Sequence, residues 1–429
     1  MSKRNFVLLI IILITVVIAI LGFLYFRTSP ATPADSGTGT NFFSQFNPFG
    51  VSKPTPPPVK PPADVSGYEP VPSETEIQKL TKVSGMPIAG FTVFIKERLK
   101  DVPATTPAIK PLTEFIPTLR YVEKATGNIY QTFVDKIEER KYSKTIIPKV
   151  YEAYFGNRGE IVVMRYLKTD DRTIETFVGN LPKEYLGESI NTLREVKGYF
   201  LPNDIKDISV SPDTSKIFYL FNLSDNNIIG ATLNFSDNKK IQVFDSPFTE
   251  WLSQWPNTKT ITLSTKPSSA VPGYMYLFDL DKKSLIKVLG DISGLTTLMS
   301  HNNKMALYGN NSLSLYIYST DNGNSDILGV KTLPEKCVWG KANDFIYCAV
   351  PKFIDVGKYP DAWYQGEVSF SDQFWKIDAK NRNASLILDP AIIVGGEEID
   401  GIKLALDGNE NYLFFVNKKD SFLWKLDLK

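Results

Sequence analysis

The sequence has one histidine and two cysteines in 429 residues, and its charges nearly cancel at +1. A Ser-His-Asp triad therefore has only His301 to be built on. One His and two Cys do not make the usual four-ligand zinc set. Lys3, Arg4 and Arg27 carry +3 of the net charge, which leaves −2 for residues 28–429. A basic footprint for nucleic acid is thus missing, and no cofactor motif occurs. Helical periodicity is scarce after residue 75. The composition is 43% apolar and 12% aromatic, so a large core is nonetheless available.

What is present begins with Phe6–Phe26, "FVLLIIILITVVIAILGFLYF", a 21-residue run without a charge. At about 1.5 Å per residue it spans roughly 30 Å, the thickness of a bilayer's hydrocarbon core. A cleaved signal peptide has a shorter apolar region ending at small residues, whereas this run ends in Leu24, Tyr25 and Phe26. The expectation is a retained signal anchor at 6–26. Residues 1–5 then form a cytoplasmic tail, and Lys3 and Arg4 direct the remainder across the membrane. Residues 27–75 are rich in Pro, Ser, Thr and Gly, and are expected to be a disordered tether. Within them "NFFSQFNPFG" holds Phe42, Phe43, Phe46 and Phe49, a candidate docking motif or a segment that folds back onto the interface or the domain.

From residue 76 to 429, short apolar runs bounded by turn residues recur. "ISVSPDTSKIFYLF", "TLMSHNNKMALYG", "CVWGKANDFIYCAV" and "IKLALDGNENYLFFV" each read as strand, tight turn, strand. A third run of aromatic-apolar character ending near Asp follows each one. Measured on the second strand, at Leu119, Ile161, Ile217, Ile261, Met305, Phe345 and Tyr412, the steps are 42, 56, 44, 44, 40 and 67 residues. The spacing suits propeller blades of about 40 to 50 residues. Removing the 22 residues Pro351–Asp372 brings the last step back to 45. The expected fold is all-β, a seven-bladed β-propeller. Its last blade lacks a fourth strand, which the segment after Ile77 supplies from the other end of the domain. Six blades with an irregular end are the alternative.

The "SPDTSKIFYLF" turn resembles the Ser-Pro-Asp-Gly turns of TolB-like propellers, and the plan resembles WD-repeat-like propellers without their Gly-His and Trp-Asp signatures. The anchor, the tether, "LRYVEKATGNIYQTFV" and "YPDAWYQG" together are similar to membrane-anchored β-propeller proteins of bacteria. That resemblance implies fold and location and brings no known activity.

Three local features remain. His301 lies in an inner hairpin turn, where a polar residue is expected in any case. "DGNEN", Asp407–Asn411, has alternating oxygen ligands but takes the place of the same turn and lacks a calcium loop's later bidentate Glu. Cys337 and Cys348 stand opposite on paired strands across a four-residue turn, so a disulfide is expected if the compartment is oxidising, with two buried thiols as the alternative.

The long insertion, Lys358–Asp372, joins the second and third strands of the sixth blade. Tyr359, Asp361, Trp363, Tyr364 and Phe370 are its candidate contact residues, and its aromatics alternatively cap the central channel. The function expected is a binding or assembly module of the cell envelope, with the membrane as one partner through 6–26 and an envelope protein or glycan as another. The alternative is an envelope enzyme, a glycan-directed hydrolase or lyase, using carboxylates in the channel.

Overall fold

The computed structural model describes residues 79–100, 112–184, 186, 195–223, 227–393 and 398–429. The expected anchor at 6–26, the tether at 27–75 and the Phe42, Phe43, Phe46 and Phe49 motif lie outside the described residues. Among the described residues, no helix is long and apolar enough to cross a membrane.

Among the described residues, seven four-stranded antiparallel sheets follow one another along the chain. Their inner strands are Ile88–Leu99, Val150–Gly156, Asp207–Val210, Trp251–Gln254, Thr296–Met299, Cys337–Trp339 and Gly401–Leu406, which number blades 1 to 7. The second strands are buried on both sides by neighbouring blades, so they are apolar on successive residues. Ile217, Phe218, Ile261, Leu307, Ile346, Leu413 and Phe414 are all fully buried.

The inner hairpins of blades 3, 5 and 7 share a turn built by side-chain capping of the backbone. In blade 3, Ser211 Oγ accepts the Lys216 N–H at 2.9 Å, while Asp213 accepts the Ser215 N–H at 3.1 Å. Blade 5 repeats this with Ser300 and Asn302, at 3.0 Å each to the N–H groups of Met305 and Lys304. In blade 7, Asp407 Oδ1 accepts the Asn411 and Tyr412 N–H groups, both at 2.7 Å. These bonds satisfy the turn backbone without water, which is why Ser, Asp and Asn recur there. His301 belongs to such a turn, where its main-chain N–H donates to Asn343 at 2.8 Å.

The ring closes with a strand from the other end of the domain. Leu80–Lys82 pairs antiparallel with the third strand of blade 7, Leu80 opposite Leu426 and Lys82 opposite Trp424. The seam continues with Val83 N–H to Leu423 O at 2.7 Å and Ser84 Oγ accepting the Leu423 N–H at 2.9 Å. Two lysines cross it in opposite directions. Lys124 of blade 1 donates to Ser421 Oγ at 2.8 Å, and Lys403 of blade 7 donates to the Ala89 carbonyl at 2.9 Å.

Strand alternation defines two faces. The upper face carries the connections between blades and those between second and third strands. The lower face carries the inner hairpin turns and the connections between third and outer strands. In blade 6, Cys337 pairs directly with Cys348 across the ladder, and the two are disulfide-bonded.

Candidate functional site

The insertion between the second strand of blade 6 (Phe345–Pro351) and its third strand (Asp372–Asp378) leaves the upper face and folds back across it. Its centre is one helical turn, α1, Asp361–Tyr364. Tyr359, Trp363 and Phe370 are 3%, 4% and 2% exposed, and they pack with Leu313 of blade 5 and Leu333 of the connection from blade 5 to blade 6. Trp363 and Phe370 stack at 6.2 Å between ring centroids. Of the two roles that the sequence leaves open for these residues, their burial places Tyr359, Trp363 and Phe370 in the packing of the lid. Tyr364 keeps 40% of its surface exposed.

Polar contacts fix the lid to blades 4, 6 and 7. Asp361 accepts the Ser269 N–H of blade 4 at 2.6 Å. The Trp363 indole N–H donates to Asp400, ahead of blade 7, at 2.9 Å, and Lys418 of blade 7 donates to the Trp363 carbonyl at 2.8 Å. The Tyr364 hydroxyl donates to Glu335, just ahead of blade 6.

Under the lid lies a charged cluster that the sequence did not reveal. The Lys336 ammonium is fully buried and ion-paired with Asp372 at 2.8 Å and with Asp400. The rings of Trp363 and Phe370 each lie 5.3 Å from it. Asp400 also accepts the Phe370 N–H at 3.0 Å and the Ser369 hydroxyl at 3.1 Å. Asp372 accepts the Gly401 N–H at 2.6 Å. Burial pushes the Asp372 carboxyl up to about 6 against the pull of Lys336. At Asp400 burial is outweighed by Lys336 and the hydrogen bonds from Phe370 and Trp363, and the carboxyl titrates below its usual range. One lysine thus serves two carboxylates, and the set ties the lid's last limb to the starts of blades 6 and 7. Lys336, Asp372 and Asp400 are 64 residues apart at the extremes, in segments without shared pattern, so nothing in the sequence links them.

The lid reaches over blades 4 to 7. Towards blades 2 and 3 a second set of ionisable groups occupies the inner strands. Glu152 on the blade 2 inner strand is ion-paired with Arg165, whose other nitrogen donates to the Ile205 carbonyl. Asp207, first on the neighbouring inner strand, accepts the Ser253 N–H at 2.5 Å and its hydroxyl at 2.7 Å. Burial raises the Asp207 carboxyl to about 6; the Ser253 hydrogen bonds and Arg165 oppose this and the Glu152 charge adds to it. Lys403 feels Glu152 and Arg165 from blade 7, and burial lowers its pKa. Glu335, partly open to solvent yet surrounded by protein, is raised by burial to about 7 despite Tyr364 and Lys336.

Two side chains of the insertion's first limb point outward. Phe353 is 80% exposed and Val356 fully so. Their limb is held by Lys352, ion-paired with Asp389 at 2.8 Å, and by the Tyr359 hydroxyl donating to the Asp355 carbonyl at 2.9 Å. Ile392, three residues beyond Asp389, is 76% exposed.

No protein-family model matches the chain, and no curated protein matches it. The class that its fold defines is the seven-bladed β-propeller, here with a lidded upper face. Among solved structures, the chain is similar to an oligogalacturonate lyase from Vibrio parahaemolyticus, with 9% identity, a TM-score of 0.48, and coverage of 80% of this chain and 99% of that one. A likeness of that degree carries no argument about activity.

Proposed function

We propose that this chain is a single-pass, membrane-anchored envelope protein, with its N-terminus in the cytoplasm and its propeller outside it, and that the propeller binds an envelope partner through the rim of blade 6. The observation that carries this reading is the display of Phe353, Val356 and Ile392. Tyr359, Trp363 and Phe370 of the insertion are buried, but these stand in water, Phe353 and Val356 on backbone held by an ion pair and a hydrogen bond. Apolar groups offered on a rigid support lose little conformational freedom on binding, which favours association. Two features support the location: the charge-free run Phe6–Phe26 and the Cys337–Cys348 bond, which suits an oxidising compartment.

The reading is tested in two parts. Protease added outside spheroplasts should digest the propeller while a short N-terminal fragment stays with the membrane; a soluble chain beginning after Phe26 would contradict the anchor. The F353S/V356S variant should keep its thermal stability, because exposed substitutions change stability by about 0.5 kcal/mol or less, and should lose partner binding.

Glu152 and Asp207 favour a second reading. They lie on adjacent inner strands, and their surroundings differ: Arg165 pairs with Glu152, and burial makes Asp207 a weaker acid. Such a pair suits general acid–base work on a glycan entering the channel. D207N would abolish turnover of a glycan substrate under this reading and leave rim binding intact under the first.

A further inference from the structure

The hairpin of blade 1 is longer than any other in the ring. Its inner strand Ile88–Leu99 has 12 residues and its second strand Thr113–Glu123 has 11, whereas the other inner strands have three to seven. The extra length projects as an arm from the lower face. Pairing of Ile95 with Pro117, Glu97 with Phe115 and Leu99 with Thr113 puts Ile95, Leu99 and Phe115 on one side of it, with the exposed Glu97 among them. They are 50%, 40% and 69% exposed, and Leu112 near the tip is 51% exposed.

The other side is tied down. Arg98 pairs with Asp135 at 2.5 Å and with Glu114 at 2.8 Å, and lies over the Phe133 ring. Lys96 pairs with Glu184 in the lower-face connection of blade 2, and Leu186 beside it is again half-exposed. The arm is therefore held in place, with a mainly apolar side, interrupted by Glu97, left in water.

We infer that this arm docks on a lipid surface, the membrane that anchors the chain. The occupant follows from where the rest of the chain departs. Leu80–Lys82 is the outer strand of blade 7, and its first residues lie on the lower face, where Lys79 O accepts the Asp427 N–H at 2.8 Å. The described chain thus begins on the face that bears the arm, one blade away, and 78 residues that include the apolar run Phe6–Phe26 precede it in sequence. Arm residues Lys96, Arg98 and Lys100 are offset by Glu97, Glu114, Asp135 and Glu184, so there is no net basic patch. Docking works by apolar insertion into the interface and does not need anionic lipid. This inference rests on the anchor reading.

The test uses the full chain reconstituted in phosphatidylethanolamine–phosphatidylglycerol vesicles, with the native cysteines left in their disulfide and an environment-sensitive fluorophore on F115C or, as an upper-face control, F353C. The F115C probe should shift to the blue and be quenched several-fold more by nitroxide lipids than the F353C probe, at 0.1 and at 0.5 M salt alike. I95S/L99S should remove that excess. Equal quenching at both sites on vesicle-bound chain overturns the arm proposal alone, as does crosslinking of F115C to a second copy in place of lipid contact. A chain that fails to float with the vesicles overturns the anchor reading and the arm with it.

Discussion

The indole N–H of Trp363 donates to the Asp400 carboxylate at 2.9 Å, joining a lid that leaves blade 6 to the first residues of blade 7. The same carboxylate is paired with the buried Lys336. Packing and charge are therefore coupled: removing the ring also removes a hydrogen bond from a group out of reach of water.

W363A is expected to lower stability by about 3 kcal/mol or more, from lost aromatic burial and the weakened support of Asp400. W363F, which keeps most of the apolar area and loses the N–H, should cost less. Chemical denaturation of both variants checks this order. Wild-type stability in W363A would mean that the lid is not part of the fold's packing.

Acid should stabilise the protein between about pH 7 and pH 5. Asp207 and Asp372 have folded pKa values of about 6 and Glu335 of about 7, all above the roughly 4 of an unfolded chain. In that window the folded state binds more protons than the unfolded one, so stability falls as pH rises. Asp400, held low, loses its contribution only below about pH 4. Lys96, lowered to about 7 by burial and by Arg120 and Arg140, acts above the window. The D207N/E335Q variant should show a smaller change in denaturation midpoint between pH 5 and pH 7.5 than wild type. An unchanged pH slope would refute the assignment.

Much of this architecture was legible in the chain. Second strands such as "KIFYLF" are apolar on successive residues because blades cover them on both sides, and the Ser-Asp and Ser-Asn turns announce themselves by their capping chemistry. The shared pattern of the segments around Leu80 and Leu285 allowed the closing strand to be assigned to blade 7. The lid's interior was not legible. Tyr359, Trp363 and Phe370 have the composition of a contact surface, and only the spatial meeting of the lid with Leu313 and Leu333 from elsewhere in the chain makes them core. Lys336, Asp372 and Asp400 were missed for the same reason, and Phe353 and Val356 are conspicuous only once their neighbours are seen to be buried.

Deleting residues 76–85 from the full chain should leave blade 7 with an open edge. The deletion removes the buried Leu80 and Val83 and the bonds to Leu423, costing about 3 to 6 kcal/mol from the two apolar side chains alone. Thermal melting and size-exclusion chromatography would report a lower Tm and aggregation. A monomer as stable as the parent would contradict the closure's role.

Reducing the Cys337–Cys348 bond frees a closed loop with a sequence separation of 11. The chain-entropy model puts the loss at about 2 to 3 kcal/mol. Denaturation midpoints with and without a phosphine reductant should differ accordingly, and the C337A/C348A variant should lose its sensitivity to the reductant. An identical midpoint for oxidised and reduced wild type would show that the bond adds nothing.

The central claim, that the rim of blade 6 is where the propeller meets an envelope partner, is tested most directly by a photo-crosslinking amino acid placed at Phe353 in intact cells. Ile286, 60% exposed on the outer strand of blade 4, serves as the control site. One discrete protein adduct is expected from position 353, lost when V356E is added and absent from position 286. No adduct at 353, or the same adduct from both positions, would contradict it.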